Sequence, residues 1–285
     1  MTDAPVTPAR LAVTGATGAL GGAVARELTA EGVPLRLVVR DASRAPALPG
    51  AEVAVASYSD AAAAEEALRG IDVLFMVSAA EAVDRLDQHR TFVDAAARAG
   101  VGHVVYTSFQ GAGPDSVFTL GRDHGATEQH LLASGMGTTF LRDSFYLDSL
   151  VEFVDEHGVL RGPAGEGRVA GVARADVAAV AAAVLRAPEQ HRGMAWDVTG
   201  GEALTLAEVA ARIGAATGRP TTYAPETVEE AYASRQRWQP EPWQADAWVS
   251  TYTAIAEGAL AHVSGDVERI TGRPPMSLRE VLATS

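Results

Sequence analysis

Leu11-Ala-Val-Thr-Gly15-Ala-Thr-Gly18-Ala-Leu-Gly21-Gly22 is the stretch that decides the fold of this chain. Leu11–Val13 is short and continuously apolar, as a strand covered on both faces should be. Three glycines follow at a spacing of three, and a helical pattern runs from Ala19 to Ala30. Strand, glycine turn and helix, in that order, form the context of a dinucleotide-binding loop. Gly15 permits a tight turn, Gly18 lets the backbone approach a pyrophosphate, and Gly21 lets helix and sheet pack closely. The N–H groups that open the helix then face the phosphates. The spacing is G-x-x-G-x-x-G rather than the commoner G-x-G-x-x-G, so its place on the first strand of an alternating series matters more than the glycines alone.

That alternation continues. Strands are predicted at Leu11–Val13, Leu35–Val39, Glu52–Ala56, Val73–Val77, His103–Tyr106, Thr138–Leu141 and Ala195–Val198. Helices are predicted between them at Ala19–Ala30, Ala61–Arg69, Val83–Ala99, Asp123–Ala133 and Asp176–Arg186. Asp60 reads as an N-cap and Gly100 as a C-cap. Repeated strand–helix units with right-handed crossovers imply an α/β fold, a Rossmann-type doubly wound parallel sheet. After Arg142 the pattern loosens: Tyr146–Glu156 reads as helix and Gly158–Gly167 as a glycine-rich excursion. Leu206–Thr217, Val228–Arg235, Trp243–Glu257 and Ser277–Leu282 also read as helix. The expected organisation is an NAD(P)-binding domain over 9–142 with 168–200, and a smaller, mostly helical substrate lobe over 143–167 with 201–285. The first eight residues read as a loose tail.

Composition narrows the chemistry. The 285 residues are 47% apolar, enough for a substantial core. There is no cysteine, which excludes disulfides and thiolate chemistry. There is also no lysine: all 23 basic residues are arginine. Schiff-base chemistry and a phosphate-binding P-loop lysine are therefore absent. The net charge of −13 disfavours nucleic acid and anionic membranes as partners, and demands a locally positive cofactor site. No apolar run is long enough to span a bilayer, and the chain opens without a basic, then apolar, leader. The expected location is the cytoplasm. The histidines show no paired metal-binding spacing, so no metal is expected. Monomer and homodimer stay open.

At the end of the second strand, where NAD enzymes place an acid for the ribose 2′-OH, stands Arg40, followed by Asp41 and Arg44. A guanidinium pairs with a 2′-phosphate through two parallel bonds. At about 1.5–3 kcal/mol for a charged hydrogen bond, that is about a 10- to 150-fold preference. NADP is the expected cofactor, with NAD possible because Asp41 can compete for the ribose.

Thr14-Gly15-Ala-Thr-Gly18-Ala-Leu-Gly21 and Val38-Val39-Arg40-Asp41 resemble the NmrA-like atypical short-chain dehydrogenase/reductase family. So do Gln88-His89-Arg90, Ala99-Gly100-Val101, Tyr106-Thr107-Ser108, Leu141-Arg142-Asp143-Ser144-Phe145-Tyr146, Arg174-Ala-Asp176-Val-Ala and Thr205-Leu-Ala-Glu208. The similarity reaches to about Tyr223 and is greatest to the branch containing NADPH:quinone oxidoreductase 2 and triphenylmethane reductase. The resemblance implies cofactor contacts from Gly15, Ala16, Thr17, Gly18, Ala19 and Leu20, and from Arg40. It implies further contacts from Ser78, Ala79 and Ala80, from Asp143, Ser144, Phe145 and Tyr146 through to Asp148, and from Arg174. Two departures stand out. Ser57-Tyr58 replaces the acid the family often carries after the third strand, and Ser78-Ala79-Ala80 has fewer hydroxyls than expected.

Ser108 sits where short-chain dehydrogenases carry a catalytic serine, but Leu120 and His124 stand where their tyrosine and lysine would be. Without that pair, hydride delivery to an acceptor that holds its own negative charge is favoured over alcohol–ketone interconversion. A quinone or similar planar, electron-poor small molecule fits. Ser108 is then a candidate substrate-polarising donor, and His124, with Glu128 one turn on, a candidate proton donor. Trp238, Trp243 and Trp248 offer flat faces to a planar acceptor or pack the lobe. The alternative function is a redox sensor that binds NAD(P) without turnover and regulates a partner; an isomerase or dehydratase fits less well.

Overall fold

The computed structural model describes residues 10–284, so the tail expected over residues 1–8 lies outside the described residues. In chain order the elements of the first half are β1 (Leu11–Thr14), α1 (Ala19–Ala30), β2 (Leu35–Val39), β3 (Ala51–Val55), α2 (Ala61–Leu68), β4 (Val73–Met76), α3 (Arg85–Ala99), β5 (His103–Phe109), α4 (Thr119–Ala133) and β6 (Gly137–Asp143). There follow α5 (Leu147–Glu152), β7 (Val159–Gly162), β8 (Arg168–Val169), α6 (Arg174–Arg186), β9 (Ala195–Val198), β10 (Leu204–Thr205), α7 (Leu206–Thr217), β11 (Thr222–Pro225), α8 (Val228–Arg235), α9 (Pro242–Ala256), α10 (Asp266–Thr271) and α11 (Leu278–Thr284).

Seven strands form one parallel sheet in the order β3-β2-β1-β4-β5-β6-β9. The order reverses between β1 and β4, the switch point at which such sheets bind ligands beyond their carboxyl ends. One face packs Val13, Phe75, Val105 and Leu141 against α1 (Val24, Leu28) and α6 (Val177, Val180, Val184). The other packs Leu74, Met76, Val104 and Phe140 against α2, α3 and α4 through Leu68, Phe92, Val93 and Leu131. Asp60 caps α2 by accepting from Ala63 N at 3.0 Å. Gly100 closes α3 in the left-handed conformation at φ 82°. Both match the reading of the sequence. Unlike the central strands, β3 is not covered on both faces. As the edge strand it leaves Val53 and Val55 45% and 54% exposed.

A third apolar cluster joins Phe109 and Phe118 to Leu147, Leu160, Ile213, Tyr252 and Leu278. Here β7 pairs in parallel with β11, and β8 pairs antiparallel with β10. The sequence pattern missed these four short strands, and α10. The supposed excursion at 158–167 contains β7, whose Gly162 lies under the Tyr252 ring where any side chain would collide. A glycine that admits an aromatic ring looks, in sequence, like a glycine that makes a loop.

The first turn of α1 sits hard against β1. Gly15 takes φ 65°. A Cβ at Gly21 would lie 2.5 Å from Thr14 O and 2.6 Å from Gly15 C. At Gly22 it would lie 2.9 Å from Ala16 O, a second packing glycine the sequence reading did not single out. Gly21→Ala should push α1 off the sheet and destabilise the protein by about 1–3 kcal/mol, the usual cost of overpacking. A urea midpoint equal to wild type would show that the contact is not there.

Candidate functional site

The glycine turn between β1 and α1 is built from backbone. Gly18 N donates to Gly15 O at 2.8 Å, and Gly22 N donates to Gly18 O at 3.1 Å. Gly18 is the N-cap of α1 and supplies no side-chain cap, and the first turn holds no acid. The amides that open the helix are therefore left for a group from outside. Gly15, Thr17, Gly18 and Ala19 are exposed on the crest, while Ala16 and Leu20 are buried and root the turn in the core. At the tip of β2 Arg40 is exposed and makes no ion pair or hydrogen bond with a described residue. Asp41 turns away from it: its carboxylate accepts from Ser43 N at 2.9 Å and from Ser43 Oγ at 2.7 Å. Those two bonds hold Asp41 below the usual carboxylate range. A glycine turn without a side-chain cap, uncapped amides and a free guanidinium fit a dinucleotide that carries an extra phosphate.

Tyr58 fills the place where the family resemblance suggests an acid. Its ring stacks on Phe92 with centroids 4.2 Å apart. Its hydroxyl donates to Val77 O at 2.5 Å and meets Thr14 Oγ1 at 2.6 Å. Thr14 Oγ1 also accepts from Val77 N at 2.9 Å, so the tips of β1 and β4 are tied. The next residues, Ser78 and Ala79, are half-buried and Ala80 is exposed. Ser78 N donates to Thr107 Oγ1 at 2.7 Å. Glu81 accepts from Trp248 Nε1 at 3.1 Å, linking this loop to α9.

At the end of β6 Asp143 is buried, and its Oδ2 accepts from the Tyr146 hydroxyl at 2.9 Å. Burial pushes the Asp143 carboxyl well above its ordinary value, against the lowering effect of Tyr146. Asp143 Oδ1, Ser144 Oγ and, one strand over, Gln110 Oε1 are buried without a partner. Such atoms are costly unless something else satisfies them. Their cluster at the carboxyl ends of β5 and β6 is consistent with a bound polar ligand. Phe145 packs against Phe153 with centroids 5.8 Å apart. Arg174, expected as a cofactor contact, is committed elsewhere. Its amide donates to Asp148 and its guanidinium to Glu152 (2.9 Å) and Ser149 (2.8 Å), 5.4 Å above the Tyr146 ring. It ties α6 to α5.

The expected His124–Glu128 pair does not form. Ser108 Oγ donates to Glu128 Oε1 at 2.6 Å. Glu128 is held by the Arg142 guanidinium through 2.9 Å and 2.6 Å bonds. His124 Nε2 faces Arg85 Nη2 at 3.0 Å, and a guanidinium can only donate, so this nitrogen carries no proton. Its Nδ1–H then donates to Tyr106 Oη at 3.0 Å. Burial drives His124 well below the ordinary imidazole value, with Arg85 adding to the effect. Both side chains are buried and their protons are spoken for, which argues against a donor role for either.

Of the tryptophans, Trp238 is 57% exposed and stands edge-on to Trp248 at 6.2 Å, with Arg237 3.9 Å above its ring. A cavity of about 310 Å³ lies beyond β5, lined by Phe109, Gln110, Pro114, Phe118, Ala254 and Leu260. Its apolar lining suits a flat organic molecule. Among the described residues no helix is long and apolar enough to cross a membrane.

A doubly wound sheet with an uncapped glycine turn at its switch point defines a dinucleotide-binding protein. The profile of the NmrA-like family matches residues 7–239, and the chain belongs to that family. It is 35% identical to the NAD(P)H azoreductase of Xenophilus azovorans over 94% of this chain and 95% of that one. The crystal structure of the NADPH-dependent quinone oxidoreductase of Escherichia coli complexed with NADPH superposes with a TM-score of 0.88 at 33% identity, covering 96% and 99% of the two chains. That of Citrobacter sp. triphenylmethane reductase complexed with NADP(H) gives 0.86 at 28% identity, covering 96% and 99%.

One buried histidine sets a pH dependence. His89 is fully buried; desolvation, then the charge of Arg85, lowers it from 6.5 to about 3. The unfolded chain takes up this proton below about 6.5 and the folded protein does not. The associated stability is therefore whole above 6.5 and declines as pH falls towards 3, by up to about 1.4 kcal/mol per pH unit. Denaturation midpoints measured between pH 7 and pH 4 should fall more steeply for wild type than for His89→Gln. Parallel curves would refute it.

Proposed function

We infer that the chain is an NAD(P)H-dependent oxidoreductase that delivers hydride to a quinone or a similar planar, electron-poor acceptor, with NADPH as its preferred cofactor. The observation that supports this most directly is the pairing of the uncapped glycine turn of α1 with an unpartnered Arg40 one strand away. Relatives that share a third of the sequence over nearly the whole chain bear reductase names, which favours turnover over a purely sensory role.

When bound, NADPH supplies the hydride. Gly15–Leu20 hold the diphosphate on main-chain amides, and Arg40 holds the 2′-phosphate. Ser78–Ala80 and Asp143–Tyr146 wall the crevice at the switch point. The unpartnered oxygens of Asp143 and Ser144 are available to the polar part of the cofactor. The open cavity beside Phe109 and Phe118 receives the acceptor and leaves it in reach of water. Neither Ser108 nor His124 donates a proton here. The site therefore suits an acceptor whose reduced form spreads its charge and takes its proton from water.

Oxidation of NADPH and of NADH against a panel of quinones and other planar dyes tests the reading. Turnover with at least one acceptor is expected. Tight NADPH binding with no turnover would favour the sensor instead. Arg40→Ala should raise the KM for NADPH by about 10- to 150-fold, the loss of a charged hydrogen bond, and spare the KM for NADH. An equal rise for both would remove Arg40 from the 2′-phosphate.

A further inference from the structure

The loop that leaves β4 is gripped from below by α3. Ala79 N donates to His89 Nε2 at 2.8 Å, and Ala79 O accepts from Arg85 Nε at 3.0 Å. Both polar atoms of one residue's main chain are thus bound by side chains one helical turn apart. The direction of every bond is forced. His89 Nε2 accepts, so its proton lies on Nδ1 and is given to Thr127 Oγ1 at 2.8 Å. Thr127 in turn donates to Asp123 O at 2.7 Å. The rest of the Arg85 guanidinium goes to His124 and, at 3.3 Å, to Asp123 Oδ2. Arg85 is 3% exposed and His89 0%.

A guanidinium and an imidazole on the buried face of a helix are a poor way to fill space, because each must be fully hydrogen-bonded to be tolerated. Apolar residues would pack α3 against the sheet at less risk. What the two polar groups achieve that apolar ones cannot is to fix a peptide outside any helix or strand. That peptide lies next to the phosphate turn, since β4 is the neighbour of β1. We propose that Arg85 and His89 are positioning residues for the cofactor. By holding the amide and carbonyl of Ala79, they set Ser78–Ala80 as a rigid wall of the crevice. This rests on the NADPH-binding reading above.

The test uses the full chain with His89→Leu and His89→Gln. Two measurements are made: NADPH affinity by titration, and amide hydrogen exchange over residues 77–84 without cofactor. His89→Leu should weaken NADPH binding about tenfold, as expected for a lost hydrogen bond that strands an N–H. It should speed exchange over 77–84 but not in β1 or β5, and leave the acceptor KM unchanged. The amide oxygen of His89→Gln can still accept from Ala79, so most of the affinity and protection should return. Thr107→Val frees Ser78 while keeping the side-chain shape, and stands in should His89→Leu fail to fold. It should loosen the same segment and weaken NADPH about threefold. Faster exchange with unchanged affinity would overturn the proposal, as would a general rise in exchange or a glutamine variant no better than leucine. Failure of the wild type to bind NADPH while residues 77–84 stay protected would reject the cofactor assignment, and this role with it.

Discussion

Helix α1 takes its course because position 21 has no side chain. Its first turn lies against the carbonyl of Thr14, closer than any Cβ would permit. The helix therefore begins directly over the end of β1, where the strand order reverses, and its free amides point at the switch point. Everything else in the candidate site is placed relative to that contact. Arg40 ends the strand to one side. The Val77–Ala80 segment leaves the strand to the other, tied back to Thr14 by the Val77 amide and the Tyr58 hydroxyl. On the same face α6 packs against α1, so the position of one helix sets that of the next.

Beneath the crest, the face of α4 that carries acid–base chemistry in ordinary short-chain dehydrogenases serves a different purpose. Glu128 gathers Ser108 from β5 and Arg142 from β6. His124 bridges Tyr106 and Arg85, and Thr127 supports His89. Three polar residues of one helix are thereby used to fix strand ends and a loop. A buried network of this kind rigidifies what it joins when every member is satisfied. The missing tyrosine and lysine are thus not a gap in an otherwise ordinary active site. Their surroundings form a network in which the Ser108 hydroxyl and the His124 ring are both engaged.

The parallel sheet and its caps were legible because each depends on local pattern: continuous apolar runs, a cap at Asp60, a left-handed glycine at Gly100. The glycine turn before α1 and the exposed arginine at the tip of β2 were legible for the same reason. What escaped was set by contacts between distant residues. Gly162 accommodates Tyr252, ninety residues on, and so concealed β7. Tyr58 read as a departure from the family pattern; it is a tie between strands. Arg85 and His89 lie four apart and share the inward face of α3 with Phe92, Val93 and Ala96. Charged and ring-nitrogen side chains at i and i+4 on an otherwise apolar stripe were the available signal. Ser108 and His124 were placed correctly on their elements, but which way their hydrogens point depends on Glu128 and Arg85.

The acidity of the molecule is compatible with a polyanionic cofactor because the selective charge acts at short range. At physiological ionic strength a field of −13 is screened within about 8–10 Å. Inside that distance the amides of α1 and the guanidinium of Arg40 dominate. Many other arginines are matched with acids, as Arg186 is with Glu27 and Glu31, and Arg212 with Glu202. Exposed pairs of that sort are worth at most about 1 kcal/mol, so leaving Arg40 unpaired forfeits little stability. It also leaves the guanidinium free of any ion pair among the described residues. The neighbouring acid is kept out of the way by the Asp41–Ser43 turn, which uses the carboxylate as a cap for the residues after the strand. A three-residue hydrogen-bonded turn thus gives the tip of β2 a cationic face, although the sequence there places an arginine and an aspartate side by side.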